Sequence, residues 1–151
     1  MPKVPTKPAE LKAWVTGEVQ SVYRELASRP VERQCELRAG CCHFKQTGEI
    51  PSVTSAEALV LAQAVRAAGR KNVTAHPQGA CPLFDGKTKG CRHYAARPFG
   101  CRTHYCRPAG GPLARREVLD LIRRLEFASE QWGEHHPRPL PEALDRVLKR
   151  I

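Results

Sequence analysis

Apolar residues near the start of the chain recur at steps of three and four. Leu11, Trp14, Val15, Val19, Val22, Tyr23 and Leu26 fall on one face of a helix predicted over residues 9–28, with Pro30 as its stop. An aromatic-bearing apolar stripe of this kind is a core face. Residues 1–8 carry Pro2, Pro5 and Pro8 and read as a flexible tail. A second helix begins after Thr54. Thr54 and Glu57 have the spacing of a capping box, and Ala58, Leu59, Leu61, Ala62, Val65 and Ala68 supply an apolar face up to the stop at Gly69. A third apolar periodicity runs from Leu113 through Val118, Leu121, Ile122, Leu125 and Ala128 to Trp132, predicting a helix over 112–132 with Pro112 in its first turn. A short helix is expected over 141–149, carrying Leu144, Val147 and Leu148. Between these lie polar, Gly- and Pro-rich stretches. Residues 44–53 have room for a short strand, DGKTKG at 85–90 reads as a turn between two extended pieces, and 133–139 reads as linker. The fold class is therefore mostly α: a small helical domain around a loop-rich segment.

That segment holds the unusual chemistry. All seven cysteines fall between Cys35 and Cys106. Cys35, Cys41 and Cys42 lie in CELRAGCC, and Cys81, Cys91, Cys101 and Cys106 lie in CPLFDGKTKGCRHYAARPFGCRTHYC. Thiolates are soft donors that suit zinc and iron–sulfur clusters. Seven exceeds one four-thiolate site and falls short of two, unless a histidine helps or a thiolate bridges. All seven cysteines are candidate ligands, with the vicinal Cys41–Cys42 pair poorly disposed to bind one ion together. A disulfide framework is the lesser reading, because the count is odd and nothing in MPKVPTKPAELKAW resembles a secretory signal. The expected compartment is cytoplasmic, where thiols stay reduced.

Composition narrows the partners. The chain has 151 residues, 41% of them hydrophobic, enough for a modest core, with no apolar run of the roughly 20 residues a bilayer span requires. No membrane partner is expected. The net charge of +10 raises nucleic acid as a partner, but the last long helix mixes Arg115, Arg116, Arg123 and Arg124 with Glu117, Asp120, Glu126 and Glu130. Mixed signs at these spacings mark a solvated face, so nucleic acid ranks below a metal ion or cluster, and no protein partner is indicated. Residues 81–106 carry Lys87, Lys89, Arg92, Arg97 and Arg102 against Asp85 alone. This excess is read first as counter-charge for thiolates and second as an anion patch. Arg97 and Arg102 are assigned to loop carbonyls or thiolates ahead of an anionic substrate. No phosphate loop, dinucleotide fingerprint or HExxH pair is present, and no acid–base partner is spaced to activate a cysteine nucleophile. An iron–sulfur enzyme of redox or group transfer remains an alternative, as does a basic nucleic-acid-binding metal module.

The run Cys91, Tyr94, Arg97, Pro98, Cys101 and Arg102, with Cys81 upstream and Cys106 beyond, resembles the CxxCxxCC family of zinc- or iron-chelating cysteine-cluster proteins. The resemblance covers about residues 35–106 and implies that the cysteines bind zinc or iron. A similar cluster in flagellin lysine methylases implies iron–sulfur binding. Aligned on Cys41 and Cys42, the signature also expects cysteines at 35 and 38. This chain has Cys35 but Arg38, and His43 or His104 is the candidate replacement for the missing ligand. The resulting organisation is a tail over 1–8 and one metal-binding domain over 9–151, with a cysteine core at 35–106 and a helical extension at 112–151.

Overall fold

Pro8 opens the first helix, where the amide it lacks would have had no intrahelical partner. The computed structural model describes residues 3–30, 50–104, 111–134 and 136–151. In it α1 spans Pro8–Ser28 and buries Val15, Val19, Val22, Tyr23 and Leu26, the face expected from the apolar spacing. Arg29 follows in extended conformation, and its guanidinium bonds the Asp120 carboxylate, Glu25 and the Glu117 carbonyl. One cation therefore closes the end of α1 onto the helix that packs beside it.

The second helix, α2 (Ser55–Ala67), is the centre of the packing. Every residue from Ser55 to Ala62 is buried, as is Val65. A single apolar face understates this: α2 touches α1 on one side and the two C-terminal helices on others. Enclosed on all sides, the stretch Ser55–Ala62 has no room for a polar face and from Ala58 to Ala62 is entirely alanine and aliphatic, while Arg66 and Ala67 at the far end are exposed. Gly69 stands just past its end at φ +82°, a conformation glycine reaches without a Cβ penalty.

The C-terminal helices differ from expectation at their edges. In place of one helix from 112, a 3-10 turn at Arg115–Glu117 precedes α4 (Leu119–Trp132). The Glu117 carboxylate reaches back to the Ala114 amide at 2.9 Å, and Val118 at φ −129°, ψ 14° leaves the helical path. The last helix, α5, spans Leu140–Arg150. The stretch expected as linker contains a strand. β1 (Ser52–Val53) pairs antiparallel with β4 (Arg138–Pro139), Ser52 opposite Pro139 and Val53 opposite Arg138. Two-residue strands are too short to show alternation, so the pairing left no periodic trace. The expected hairpin is present: β2 (Phe84–Asp85) pairs with β3 (Gly90–Cys91), Phe84 opposite Cys91. Between β3 and α4 lies a short helix, α3 (Phe99–Thr103), that no periodicity announced. The fold is mostly α with two small two-stranded sheets, and no helix among the described residues is long and apolar enough to cross a membrane. The strand room expected over 44–53 falls partly outside the described residues, as does the whole CELRAGCC group.

Packing between α4 and α2 includes one polar contact. The buried Ser129 hydroxyl accepts the Ala56 amide at 3.2 Å while donating to the Leu125 carbonyl at 2.8 Å. Ala56 sits in the first turn of α2, where amides have no intrahelical acceptor. Ser129→Ala leaves that amide buried and unpaired, and a loss of roughly 1–3 kcal/mol is expected by urea denaturation. An unchanged unfolding midpoint would remove this contact from the account of the α2–α4 interface.

Candidate metal centre

Three of the seven predicted ligands lie among the described residues. Cys81 is buried in the core just before β2, and its carbonyl accepts the Phe84 amide at 2.9 Å. Cys91 ends β3 and Cys101 lies in α3, both partly exposed and packed against the core. No disulfide joins these three. Cys35, Cys41, Cys42 and Cys106 lie outside the described residues, as do Arg38 and His43. His104 follows α3 and is partly buried, its amide bonded to the Gly100 carbonyl at 3.1 Å. Among the described residues no three His, Cys, Asp or Glu side chains converge as a metal-holding group.

The segment from the hairpin to α3 lies along α2. At one end, His93 feels the charge of Arg70, which stands beyond the C-terminus of α2. At the other, the Phe99 amide bonds Glu57 in the first turn of α2. Between them the 3-10 turn Tyr94–Ala96 packs on the helix. Burial, with the charges of Arg70 and Arg92, lowers the His93 pKa and favours the neutral ring. Its Nε2 is buried without a hydrogen-bond partner among the described residues, two positions beyond Cys91. A neutral imidazole nitrogen, like a thiolate, is a donor that suits zinc or iron. His93 carried no spacing signal in the sequence.

Glu57 holds this segment in place. Its side chain is 3% exposed, and its carboxylate accepts four hydrogen bonds. One oxygen takes the Phe99 amide at 2.5 Å and the Tyr23 hydroxyl at 3.2 Å. The other takes the Thr54 amide at 3.1 Å and the Thr54 hydroxyl at 2.8 Å. The Glu57 amide bonds the Thr54 hydroxyl in return at 3.3 Å, completing the expected capping box. Its reach to Phe99 and Tyr23 was not foreseen, because neither is near it in sequence. Burial raises the Glu57 carboxyl above its ordinary range, and the Phe99, Thr54 and Tyr23 bonds pull against that without cancelling it. Burial likewise pushes Tyr23 up, reinforced by the charge of Glu57 and opposed by that of Arg102.

Arg97 and Arg102 both hold loop carbonyls, one of the two roles expected of them. Arg102 gives Nε to the Arg97 carbonyl and Nη2 to the Ala95 carbonyl, both at 2.7 Å, and Arg97 gives Nε to the Tyr94 carbonyl at 3.0 Å. Arg102 lies over the Tyr23 ring at 3.9 Å, and Arg97 over the Tyr94 ring at 3.6 Å. Tyr94 is 46% exposed, so it stacks on Arg97 at the surface and does not enter the core.

A family model described as "putative zinc- or iron-chelating domain", the CxxCxxCC family, matches residues 33–126. The match contains all seven cysteines and extends beyond the expected 35–106 into α4. No curated protein and no solved structure matches the chain.

Glu57→Gln tests the anchor. It replaces one acceptor oxygen with a donor amide, so two protein donors then face a donor. The expected cost is roughly 1–3 kcal/mol for each group left unpaired. Since the native carboxyl is raised, its contribution is full below about pH 4.3, the usual value for an unfolded Glu, and is lost as pH climbs through the native value. The stability gap between wild type and variant should be widest in acid and narrow with rising pH. A gap that widens with pH would reverse the assigned direction.

Proposed function

The chain belongs to the CxxCxxCC family, and from that premise we propose that it binds zinc or iron through its clustered cysteines. The carrying observation is that the family match encloses Cys35, Cys41, Cys42, Cys81, Cys91, Cys101 and Cys106 together. Thiolate donors supply a soft, anionic site that holds zinc as an ion or iron as a sulfide cluster. Cys91 and Cys101 are proposed as ligands, with Cys81, Cys106 and the CELRAGCC group completing the donor set. His104 or His43 takes the place of the ligand missing at Arg38. Residues 9–151 act as one metal-binding domain in the cytoplasm, with 35–106 as its core. Glu57 orients α3 and hence Cys101. The neighbouring guanidiniums offset thiolate charge, which favours the ligating form.

A nucleic-acid role draws less support. Arg124 is paired with Glu18 and Glu25, Arg29 with Asp120, and Arg115 with Glu126. Positive charge spent on internal pairs is not offered to phosphates as a stripe.

Metal analysis with a visible absorption spectrum, on protein purified without oxygen or affinity-tag metal, tests the reading. At least one zinc or iron per chain is expected. Iron with sulfide and a broad visible band would identify a cluster, and zinc in colourless protein a mononuclear site. Cys91→Ser and Cys101→Ser should each lower metal content, and full retention in both would sink the ligand assignment. A strong chelator should lower the melting temperature, because ligation of a loop-rich segment is coupled to its folding. An unchanged melt in metal-free protein would remove the metal from the stability of the fold.

A further inference from the structure

A cleft of about 170 Å³ opens where the end of α1 meets the segment carrying Cys101. Among the described residues its walls include Tyr23, Leu26 and Leu113 and the three arginines Arg29, Arg97 and Arg102. Arg29 is neutralised by Asp120 and Glu25. Arg97 and Arg102 have no carboxylate at ion-pair distance among the described residues. Glu57 acts on Arg102 only through the field, its oxygens being taken by Tyr23, Thr54 and Phe99.

Both guanidiniums are held before any ligand arrives. Their Nε atoms are fixed by backbone carbonyls, and each guanidinium carbon lies over a tyrosine ring. Arg97 Nη1 and Nη2, and Arg102 Nη1, have no acceptor among the described residues. Two like charges rest side by side, and Arg102 is partly desolvated. Planar forks fixed in this way lose little freedom on binding, which is the condition for strong charge-assisted bonds to an oxyanion. The volume is well below the roughly 300–1,000 Å³ of sites for drug-sized ligands, so it suits a small anionic group and not a nucleotide.

We propose that this cleft is a binding site for a small oxyanion, of phosphate or carboxylate class, held by Arg97 and Arg102. The site does not depend on the metal assignment, although Cys101 lies close enough to act on Arg102. Its ligand therefore sits beside α3, next to a proposed metal ligand.

Isothermal titration of the full chain at low ionic strength tests it, with inorganic phosphate in one series and malonate in another. Metal content is measured on each sample. One-to-one binding of at least one anion is expected. Phosphate alone would mark a tetrahedral anion site, and malonate alone a carboxylate site. Arg97→Gln should weaken binding by roughly tenfold or more. Because Arg97 also clamps the Tyr94 carbonyl, Arg97→Lys, which keeps the charge and loses the planar fork, is measured beside it with the melting temperature and metal content of each, and it too should weaken binding. Arg102→Gln should weaken binding as well, and Arg123→Gln on the exposed side of α4 should not. The proposal fails if neither anion binds the wild-type protein, or if Arg97→Gln binds as well as Arg123→Gln. Loss of metal from Arg97→Gln, with no anion binding by wild type, would assign the guanidiniums to the thiolates alone and overturn the site.

Discussion

A carboxylate buried in an apolar core is costly unless donors surround it, and Glu57 is surrounded by four. They come from three places in the chain: Tyr23 on α1, Thr54 at the start of α2, and Phe99 at the start of α3. No one of these segments can move without leaving a buried donor or acceptor unpaired. The bond to Phe99 matters most for the site, since α3 is only one turn long and is too short to persist by itself. The position of Cys101 is thus inherited from a carboxylate on a different helix.

The cysteine-bearing stretch has little regular structure of its own. It is held from outside, by α2 beneath it and by arginine clamps on its carbonyls at Tyr94, Ala95 and Arg97. Irregular backbone must find acceptors and donors beyond the usual ladders, and a guanidinium can serve several carbonyls at once. The basic excess of this stretch is therefore partly structural. The donors left over after that task give the cleft beside Tyr23 its charge, so one pair of side chains both orders the loop and equips a surface for an anion.

Much of the architecture was legible along the chain because it is local. The three- and four-residue spacing of Leu11 to Leu26 was enough for α1, since a helix places those positions together whatever surrounds it. The Thr54–Glu57 cap and the Gly69 stop marked the ends of α2, and DGKTKG marked the β2–β3 turn. The order of Cys91, Tyr94, Arg97, Pro98, Cys101 and Arg102 was enough to point to the family that the match over 33–126 establishes.

What the chain did not display was every feature joining residues far apart in order. The β1–β4 pairing, the burial of α2 on all sides from Ser55 to Ala62, the bond from Phe99 to Glu57 and the closure of Arg29 onto Asp120 belong to that group. Even the same residue divided this way: Glu57 as a cap is visible three positions from Thr54, while Glu57 as the anchor of α3 is not. Spacing encodes which residues share a face or a turn, because the covalent backbone imposes those neighbours. Which faces then meet, and which buried group must satisfy which, follows only from packing the helices around one core, where burial makes each unpaired polar atom costly enough to select its partner.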